Sequence, residues 1–298
     1  MVRGYRVDIL KDKLVEVLSQ AKTGLSGVEI SEKLGLNRIT MTKYLKVFAA
    51  EGLVRQKNIG NVTLWFIEEG TEQFHFPDDY FKVKTKYIEY LQSLSENQIY
   101  HLIRNCLNSN TKIPKLLTEA IIPASEFVAK LYEDGKIGNS EKKLLDNFIS
   151  NSIRLTNLQS VESNPKKNVI ILSADAKSTL IAEAAASSFH SEEWMVSSLG
   201  NMSEAINVLF DLDLQKFLGK VWKQKNGIMI IVVFSDTEEG LNFFAESVNS
   251  VKEKAGKNLH LILCGKLGKK TRVESDLLTD NLDTVLQWSQ TVYESFKS

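Results

Sequence analysis

The sequence is poor in cysteine and in long apolar runs, and it carries no net charge. Its 298 residues include only Cys106 and Cys264, far apart in the chain, which fits a reducing compartment better than a disulfide framework. No apolar run approaches the roughly 20 residues that a membrane helix needs. The N-terminal stretch also lacks the apolar core of a secretory signal. We therefore expect a cytoplasmic protein without a membrane segment.

Charge is unevenly distributed along the chain. Residues 1–65 contain eleven Lys or Arg and six Asp or Glu, so this segment carries +5 and the remainder of the neutral chain carries −5. The composition is otherwise that of a globular protein, with 43% hydrophobic residues, and the length allows two or three domains. A basic N-terminal segment predicts a module that binds a polyanion, with a different function elsewhere.

The pattern of residues 7–67 predicts three helices followed by a hairpin. Ser26 is placed to cap the second helix, Gly35 to end it, and Asn37 to cap the third. Two alternating runs joined by Asn58–Asn61 predict the hairpin. The third helix is expected to turn three apolar residues inward, namely Met41, Leu45 and Phe48.

The tract GVEISEKLGLNRITMTKYLKVFAAEGLVRQ resembles the winged helix-turn-helix family of transcription regulators. In that family the third helix enters the major groove and the wing touches the backbone or minor groove. The resemblance implies double-stranded DNA as the partner, read by short or forked donors and by cations that neutralise phosphates. The expected DNA-binding residues are Arg38, Thr40, Thr42, Lys43, Lys46, Arg55 and Lys57. A domain that makes only protein contacts is the alternative, and a homodimer on two half-sites is expected.

Residues 83 to about 157 have a helical pattern throughout, which predicts a bundle of about four helices. Breaks are expected at Ser95, Asn108–Thr111, Pro123 and Gly135–Asn139. The phrase IIPASEFVAKLYEDGKIGNSEKKLLDNFIS resembles the helical cap of corrinoid methyltransferases and light-sensing MerR-type repressors. A Glu-His pair of that cap, which approaches the upper face of the cobalamin, corresponds here to Asp146-Asn147.

From Lys167 onward, apolar strand-like runs alternate with helical ones. This order predicts a flavodoxin-like parallel sheet covered by helices on both faces. Asp211–Asn226 is expected to be irregular, and either to cover the strand ends or to offer Phe217, Leu218 and Trp222 as a contact surface. Over about 130 residues the pattern resembles cobalamin-binding domains.

The segment SADAKSTL, after the first of these strands, stands where the cobalamin-binding family has Asp-x-His-x-x-Gly. Asp175 is present, but Lys177 replaces the His that binds cobalt, and Leu180 replaces the Gly that lets the nucleotide tail pass. A protonated lysine has no lone pair for a metal. Cobalt ligation is therefore expected to be lost, and neither a metal nor a cofactor is expected. The degenerate pocket comprises Asp175, Lys177, Leu180, Ser235, Asp146 and Asn147.

Three interpretations of this pocket stay open. It binds another small molecule, it is filled by side chains and serves dimerisation or partner docking, or it holds haem. His190 and His260 are the candidate haem ligands, although His260 lies in an apolar strand and is expected to be a core residue. The segment Gly265–Arg272 does not satisfy the phosphate-loop pattern and is interpreted as a basic loop.

The sequence thus predicts a multidomain α and α/β protein. A winged helix occupies 1–70, a helical bundle 83–160, and a cobalamin-binding-like domain that lacks the ligand His occupies 167–298. The expected function is a DNA-binding transcription regulator rather than an enzyme. A corrinoid- or haem-binding sensor, or a methyl-transfer component, is the alternative.

Overall fold

The computed structural model describes ten stretches of the chain: residues 7–19, 21, 23–50, 53–60, 62–67, 74–158, 161–205, 210–222, 226–265 and 274–297. They form two compact units. The first takes in the chain up to Asp79 together with Asn97–Asn110, and the second comprises Tyr80–Glu96 and the chain from Thr111 onward. The domain limits predicted above stay predictions.

The first unit contains the predicted order of helices and hairpin, with one short strand added. Its elements before Asp79 are α1 (Val7–Ser19), β1 (Leu25–Ser26), α2 (Gly27–Leu34), α3 (Arg38–Ala50), β2 (Arg55–Ile59) and β3 (Val62–Phe66). Strand β3 pairs antiparallel with both β1 and β2. The three helices and β3 close one apolar core, built from Leu14, Ile30, Met41, Leu45, Phe48 and Trp65 among others.

Capping hydrogen bonds and backbone conformation mark the helix boundaries that the sequence predicts for this unit. Ser26 and Glu29 form a capping box, in which each side chain accepts from the other residue's backbone N–H at 3.3 and 2.7 Å. Gly35 ends α2 in the left-handed conformation with φ of +65°. The Asn37 side chain accepts from the backbone N–H of Ile39 at 2.8 Å and so caps α3.

The hairpin turn is shorter than predicted. Ile59 pairs with Val62, so Asn58 and Ile59 belong to β2 and the connection is reduced to two residues. The first of them, Gly60, has a φ of +58°, the backbone region that favours glycine. Asn61 lies outside the described residues, and so does Gly52, the first residue of the Gly52–Val54 segment expected to end the third helix.

Helices dominate the chain from Tyr80 to Thr156. They are α4 (Tyr80–Gln92), α5 (Glu96–Asn108), α6 (Ile113–Leu116), α7 (Ile122–Glu133) and α8 (Asn139–Thr156). All but α5 lie in the second unit. The predicted break at Pro123 is wrong, because a π-helical turn, Leu117–Ile121, joins α6 directly to α7. Pro123 is the second residue of α7 and directly follows this turn, a local widening of the helical hydrogen-bond ladder.

The rest of the second unit is a five-stranded parallel sheet with helices between its strands. The elements are β4 (Asn164–Ser173), α9 (Thr179–Ser191), β5 (Trp194–Asn201), α10 (Phe210–Val221), β6 (Ile228–Phe234), α11 (Glu238–Ala255), β7 (Leu259–Cys264), β8 (Leu277–Thr279) and α12 (Leu282–Lys297). The strand order is β5-β4-β6-β7-β8, and every described pairing is parallel. This is the predicted flavodoxin-like order.

Successive residues of the central strands face opposite layers. Ile170 and Leu172 of β4 pack with α10 and α11, whereas Val169 and Ile171 pack with α9 and α12. Strand β6 is buried along its whole length. The sheet is therefore covered on both faces, as the near-continuous apolar strands predicted.

Two predictions about this domain are wrong. Most of Asp211–Asn226 is not irregular: it forms α10, and Leu218 and Trp222 do not lie on an outer contact surface. Leu218 and Trp222 are buried in the core with Leu214, one helical turn apart each, and Phe217 packs against that core. Ser203–Ala205 form a 3-10 turn, and residues 206–209 lie outside the described residues.

No helix in the described stretches combines the length and the apolar character that crossing a bilayer requires.

Candidate functional site

The residues expected to bind DNA lie on two elements, α3 and β2. Arg38, Lys43 and Lys46 are exposed on α3, whereas Thr40 and Thr42 are half-buried. The Thr42 hydroxyl donates to the Arg38 carbonyl at 2.8 Å. Its proton is therefore used inside the helix, and what Thr42 offers outward is oxygen lone pairs and a methyl group.

Arg55 and Lys57 are exposed on β2, where they pair with Phe66 and Leu64 of β3. Because they are two residues apart on one strand, their side chains leave the same face of the hairpin. The described residues 36–50, 53–60 and 62–67 contain five cations and no Asp or Glu. Helix α3 and the hairpin thus carry a cluster of positively charged side chains.

The second candidate site lies where β4 ends, at the edge of the parallel sheet. The carboxylate of Asp175 accepts hydrogen bonds from the backbone N–H of Ser178 at 2.9 Å and of Asp236 at 2.7 Å. It also accepts from the hydroxyl of Ser235, a buried residue, at 2.8 Å. Asp175 therefore ties the loop after β4 to the loop after β6.

These contacts set the ionisation of Asp175. Burial would raise its pKa, but the three hydrogen bonds, that from the Asp236 backbone foremost, outweigh burial and hold the pKa below the ordinary value of 3.8. A carboxylate whose pKa is depressed by folding stabilises the fold above its ordinary pKa. That contribution is lost as the pH falls through the lower pKa of the folded state.

We expect Asp175→Asn to lower the free energy of unfolding at neutral pH by about 2 kcal/mol, since an amide accepts more weakly and turns its NH₂ toward a donor. Because the contribution requires the carboxylate, the difference from the parent protein should shrink as the pH falls below 3.8. Urea unfolding at a series of pH values measures both effects. Asp134→Asn, which removes an exposed ion pair with Lys136, is the control and should change stability little. A deficit of constant size at every pH would contradict the assignment.

The other members of the degenerate pocket differ in their surroundings. The ammonium of Lys177 lies 3.3 Å from Asp236, with 78% of the lysine side chain exposed. Such an exposed ion pair contributes little stability. Leu180 is half-buried in the first turn of α9. The pair expected from the helical cap lies on α8, where Asp146 binds Lys142 at 2.5 Å and Asn147 is exposed.

The contacts between α8 and α9 locate Asp146 and Asn147 relative to the sheet. Glu183 of α9 accepts from Ser150 at 2.5 Å and from Arg154 at 3.2 Å, and Thr156 contacts Ser187. The two helices therefore run in the same direction. Asp146 and Asn147 precede Ser150 by about one helical turn, so they lie beside the beginning of α9. Since α9 follows β4, this is the edge of the sheet where β4 ends.

The residues at this edge do not fit a corrin bound through an imidazole. Lys177, where the resembled family has its lower ligand, is an ammonium directed at a carboxylate. Leu180 places a side chain where that family has glycine, and Asp175 already has three protein donors. On the side of the cap, Asp146 and Asn147 supply no imidazole. The frame of the site is present without the groups that would ligate cobalt.

His260 and His190, the candidate haem ligands, lie on different elements of the second unit. His260 is half-buried in β7 with its ring 5.9 Å from that of Trp288, and burial lowers its pKa. His190 is half-buried near the end of α9. The part of the chain that the structure describes contains no group of three His, Cys, Asp or Glu residues suited to a metal ion. Cys264 is a core residue whose pKa burial raises to about 12.

Sequence reasoning named Ser235 at this edge but missed Thr237, whose backbone bonds to it. Thr237 caps α11 by accepting from the Gly240 backbone at 3.2 Å, and its own N–H donates to the Ser235 hydroxyl at 3.1 Å. A threonine before two glutamates was the available signal, since it is typical of a helix start. The basic loop predicted at Gly265–Arg272 lies, from its second residue on, outside the described residues.

No family model matches the sequence, and no curated protein matches it either. Among solved structures, the chain is similar to the monomethylamine corrinoid protein of Methanosarcina barkeri. The TM-score is 0.53 at 12% identity, over 71% of this chain and 99% of that chain. This likeness shows the fold alone: the chain contains a cobalamin-binding-like α/β domain with helical regions.

Two other solved structures are more distant. They are the methanol:cobalamin methyltransferase complex of M. barkeri and a Rex-family repressor, with TM-scores of 0.34 and 0.25. Their identities are 13% and 15%, over 76% and 75% of this chain and 91% and 96% of those chains. At such TM-scores neither carries an argument.

Proposed function

We propose that this chain is a DNA-binding transcription regulator that acts as a homodimer on double-stranded DNA. Its C-terminal cobalamin-type domain no longer ligates cobalt and serves in dimerisation, in docking of a partner, or in sensing another ligand. The role proposed is regulatory and not catalytic.

The charge of α3 and the hairpin carries this proposal. Five cations and no acid occupy their described residues, and Arg38, Lys43 and Lys46 are exposed on the helix that follows the turn at Gly35. In a helix-turn-helix this helix enters the major groove, and each lysine or arginine that neutralises a phosphate releases a counterion. A chain of zero net charge whose first 65 residues carry +5 suits a polyanionic partner of that segment.

The C-terminal domain supports a role without cobalt ligation. The fold is that of a corrinoid protein, but Lys177 and Leu180 replace the two residues that the resembled family uses to hold the cofactor. The carboxylate of Asp175 accepts hydrogen bonds from Ser235 and Asp236, which join the ends of β4 and β6. Such a scaffold can still transmit a signal through an interface or another ligand.

A corrinoid- or haem-binding sensor, or a methyl-transfer component, is the second candidate function. The observation that favours it is the likeness to a monomethylamine corrinoid protein over 99% of that protein's length. A corrin held without a protein ligand to cobalt is the form compatible with the residues present.

Two measurements separate these functions. For DNA binding, fluorescence anisotropy with labelled duplexes over a range of salt concentrations should give a log–log slope of roughly −4 to −5 per chain, about −0.9 for each of the five cations that meets a phosphate. Binding selection from random duplexes then identifies the preferred site. Absence of binding at low salt would overturn the regulator proposal.

For the cofactor, we expect no tight complex with hydroxocobalamin or haemin. Incubation of the purified protein with each compound, followed by desalting, should leave an absorbance spectrum with the aromatic band alone, because no imidazole is placed at the strand ends. A stoichiometric visible band that survives desalting would favour the second candidate function over the proposed one.

A further inference from the structure

Exposed aliphatic side chains accompany the cations of the first unit. Ile39 and Val47 on α3 are 71% and 49% exposed, and Ile59 and Val62 of the hairpin are 55% and 49% exposed. In the described part of this unit, Val28 is the one other aliphatic residue among the exposed large hydrophobics. Single exposed aliphatics need no explanation, but here they cluster on the two elements that also carry all five cations between residues 36 and 67.

Helix α3 divides cleanly into two faces. Met41, Leu45 and Phe48 are fully buried on one side. Ile39, Lys43, Lys46 and Val47 follow one another at helical spacing on the other, and all four are exposed. The outward face is therefore aliphatic and basic along its length.

Ile39 has a defined position on this face. It is the second residue of α3, and its backbone N–H donates to the Asn37 cap at 2.8 Å, which fixes the first turn. The N-terminal residues of a recognition helix are those that reach base edges. One turn further on, the Thr42 hydroxyl has its proton engaged by the Arg38 carbonyl, so the first two turns offer apolar groups outward as well as charge.

In the major groove, thymine alone presents a methyl group, and apolar side chains contact it. We propose that Ile39 is a specificity-determining residue of this chain that contacts the C5-methyl group of thymine. The inference rests on the proposed function, because it requires α3 to lie in the major groove.

The charge of the surface favours DNA over a second copy of the same surface. In a two-fold interface each patch meets itself. Lys43 and Lys46 would then face their own counterparts, with no described acid between residues 36 and 67 to offset them. A duplex groove offers phosphates for the lysines and methyl groups for Ile39 on one surface.

The test uses the full-length protein and the duplex obtained by binding selection. Each thymine of that duplex is replaced singly by uracil, which keeps the base pair and the phosphate and deletes the methyl group. For the parent protein we expect the dissociation constant to rise about fourfold at one or more positions, the effect of losing contact with one methyl-sized apolar group. For Ile39→Ala, the thymine and uracil duplexes should bind equally at those positions.

Val47→Ala is the matched control, since it truncates an aliphatic residue on the same face two turns further along α3. It should keep the fourfold discrimination. The inference is overturned if the parent protein does not distinguish uracil from thymine at any position, or if Ile39→Ala distinguishes them as well as the parent does. In either case DNA binding, and with it the proposed function, would stand. Failure of the parent protein to bind any duplex would overturn both.

Discussion

Reversing the charges of Lys43 and Lys46 together is expected to lower the affinity for every duplex by at least about tenfold, or 1.4 kcal/mol. Both side chains are exposed on α3, on the face opposite to the buried Leu45. A lysine that contacts a phosphate contributes about one unit to the slope of affinity against salt. Lys43→Glu/Lys46→Glu should therefore also flatten that slope by about two units, because two counterion-releasing contacts are removed.

The control for this variant carries the same change of net charge in the other unit. Lys143 on α8 and Lys166 on β4 are both exposed, and Lys143→Glu/Lys166→Glu alters the overall charge by the same four units. If net charge alone mattered, the two double variants would lose affinity equally. Anisotropy titrations at several salt concentrations compare them, and equal losses, or an unchanged slope for Lys43→Glu/Lys46→Glu, would contradict the placement of α3 in the groove.

Local signals made the first unit predictable. Ser26, Gly35 and Asn37 act through contacts with residues at most five positions away, so the sequence contains both partners of each cap. The buried Met41, Leu45 and Phe48 follow from helical periodicity. The turn residue Gly60 and the pairing of β2 with β3 are also local. Strand β1 escaped prediction because its two residues are too few to show a pattern, and it forms only through pairing with β3.

The misjudged parts of the second unit depend on distant partners. Leu214, Leu218 and Trp222 are spaced for a helix face, but the polar residues between them, including Lys216 and Lys220, weaken the apolar pattern. The helix is stabilised by packing against the core formed with β4, β6 and α11. Strand β8 has three residues and is defined by its pairing with β7. The chain stays helical through the π-helical turn before Pro123. The proline therefore wrongly indicated an end of the helix.

The sequence allowed the position of the candidate site to be predicted, but not the hydrogen bonds that join its loops. The strand-turn-helix pattern located Asp175 at a sheet edge, and the resemblance to cobalamin-binding domains pointed to Lys177 and Leu180. Two of the three hydrogen bonds that Asp175 accepts come from Ser235 and Asp236, about sixty residues away, one from a hydroxyl and one from the backbone. No spacing rule in the sequence specifies which backbone N–H will meet a carboxylate across two loops.

Close backbone approach is the other feature of this edge that the sequence does not reveal. Two glycines surround Ser235. A Cβ at Gly240 would lie 2.7 Å from the Ser235 Oγ and 2.8 Å from the Cβ of Ala174. A Cβ at Gly265 would lie 2.1 Å from the Ser235 carbonyl oxygen. The space around Ser235 is therefore filled by atoms of the protein itself. This agrees with the interpretation that the degenerate pocket is filled and does not hold a ligand.

Gly265→Ala is expected to destabilise the second unit by more than about 4 kcal/mol, a magnitude reserved for changes that the fold cannot absorb. The clash is with backbone, and neither partner is free to move: Gly265 donates to the Thr279 carbonyl at 3.0 Å, and the Ser235 N–H donates to the Cys264 carbonyl at 3.0 Å. Relief of the contact would break hydrogen bonds that join the ends of β6, β7 and β8. Urea unfolding followed by circular dichroism measures the loss.

Gly219→Ala is the matched control for this substitution. Gly219 lies on α10, is exposed, and has no atom within 4 Å of the position that a Cβ would take. Alanine there should leave stability unchanged or raise it by up to about 1 kcal/mol, because glycine is the poorer helix former. The same chemical change would thus have opposite consequences at two positions of one unit. A Gly265→Ala protein as stable as the parent would show that the strand ends can separate, and that the space around Ser235 is open to a ligand rather than closed by the backbone.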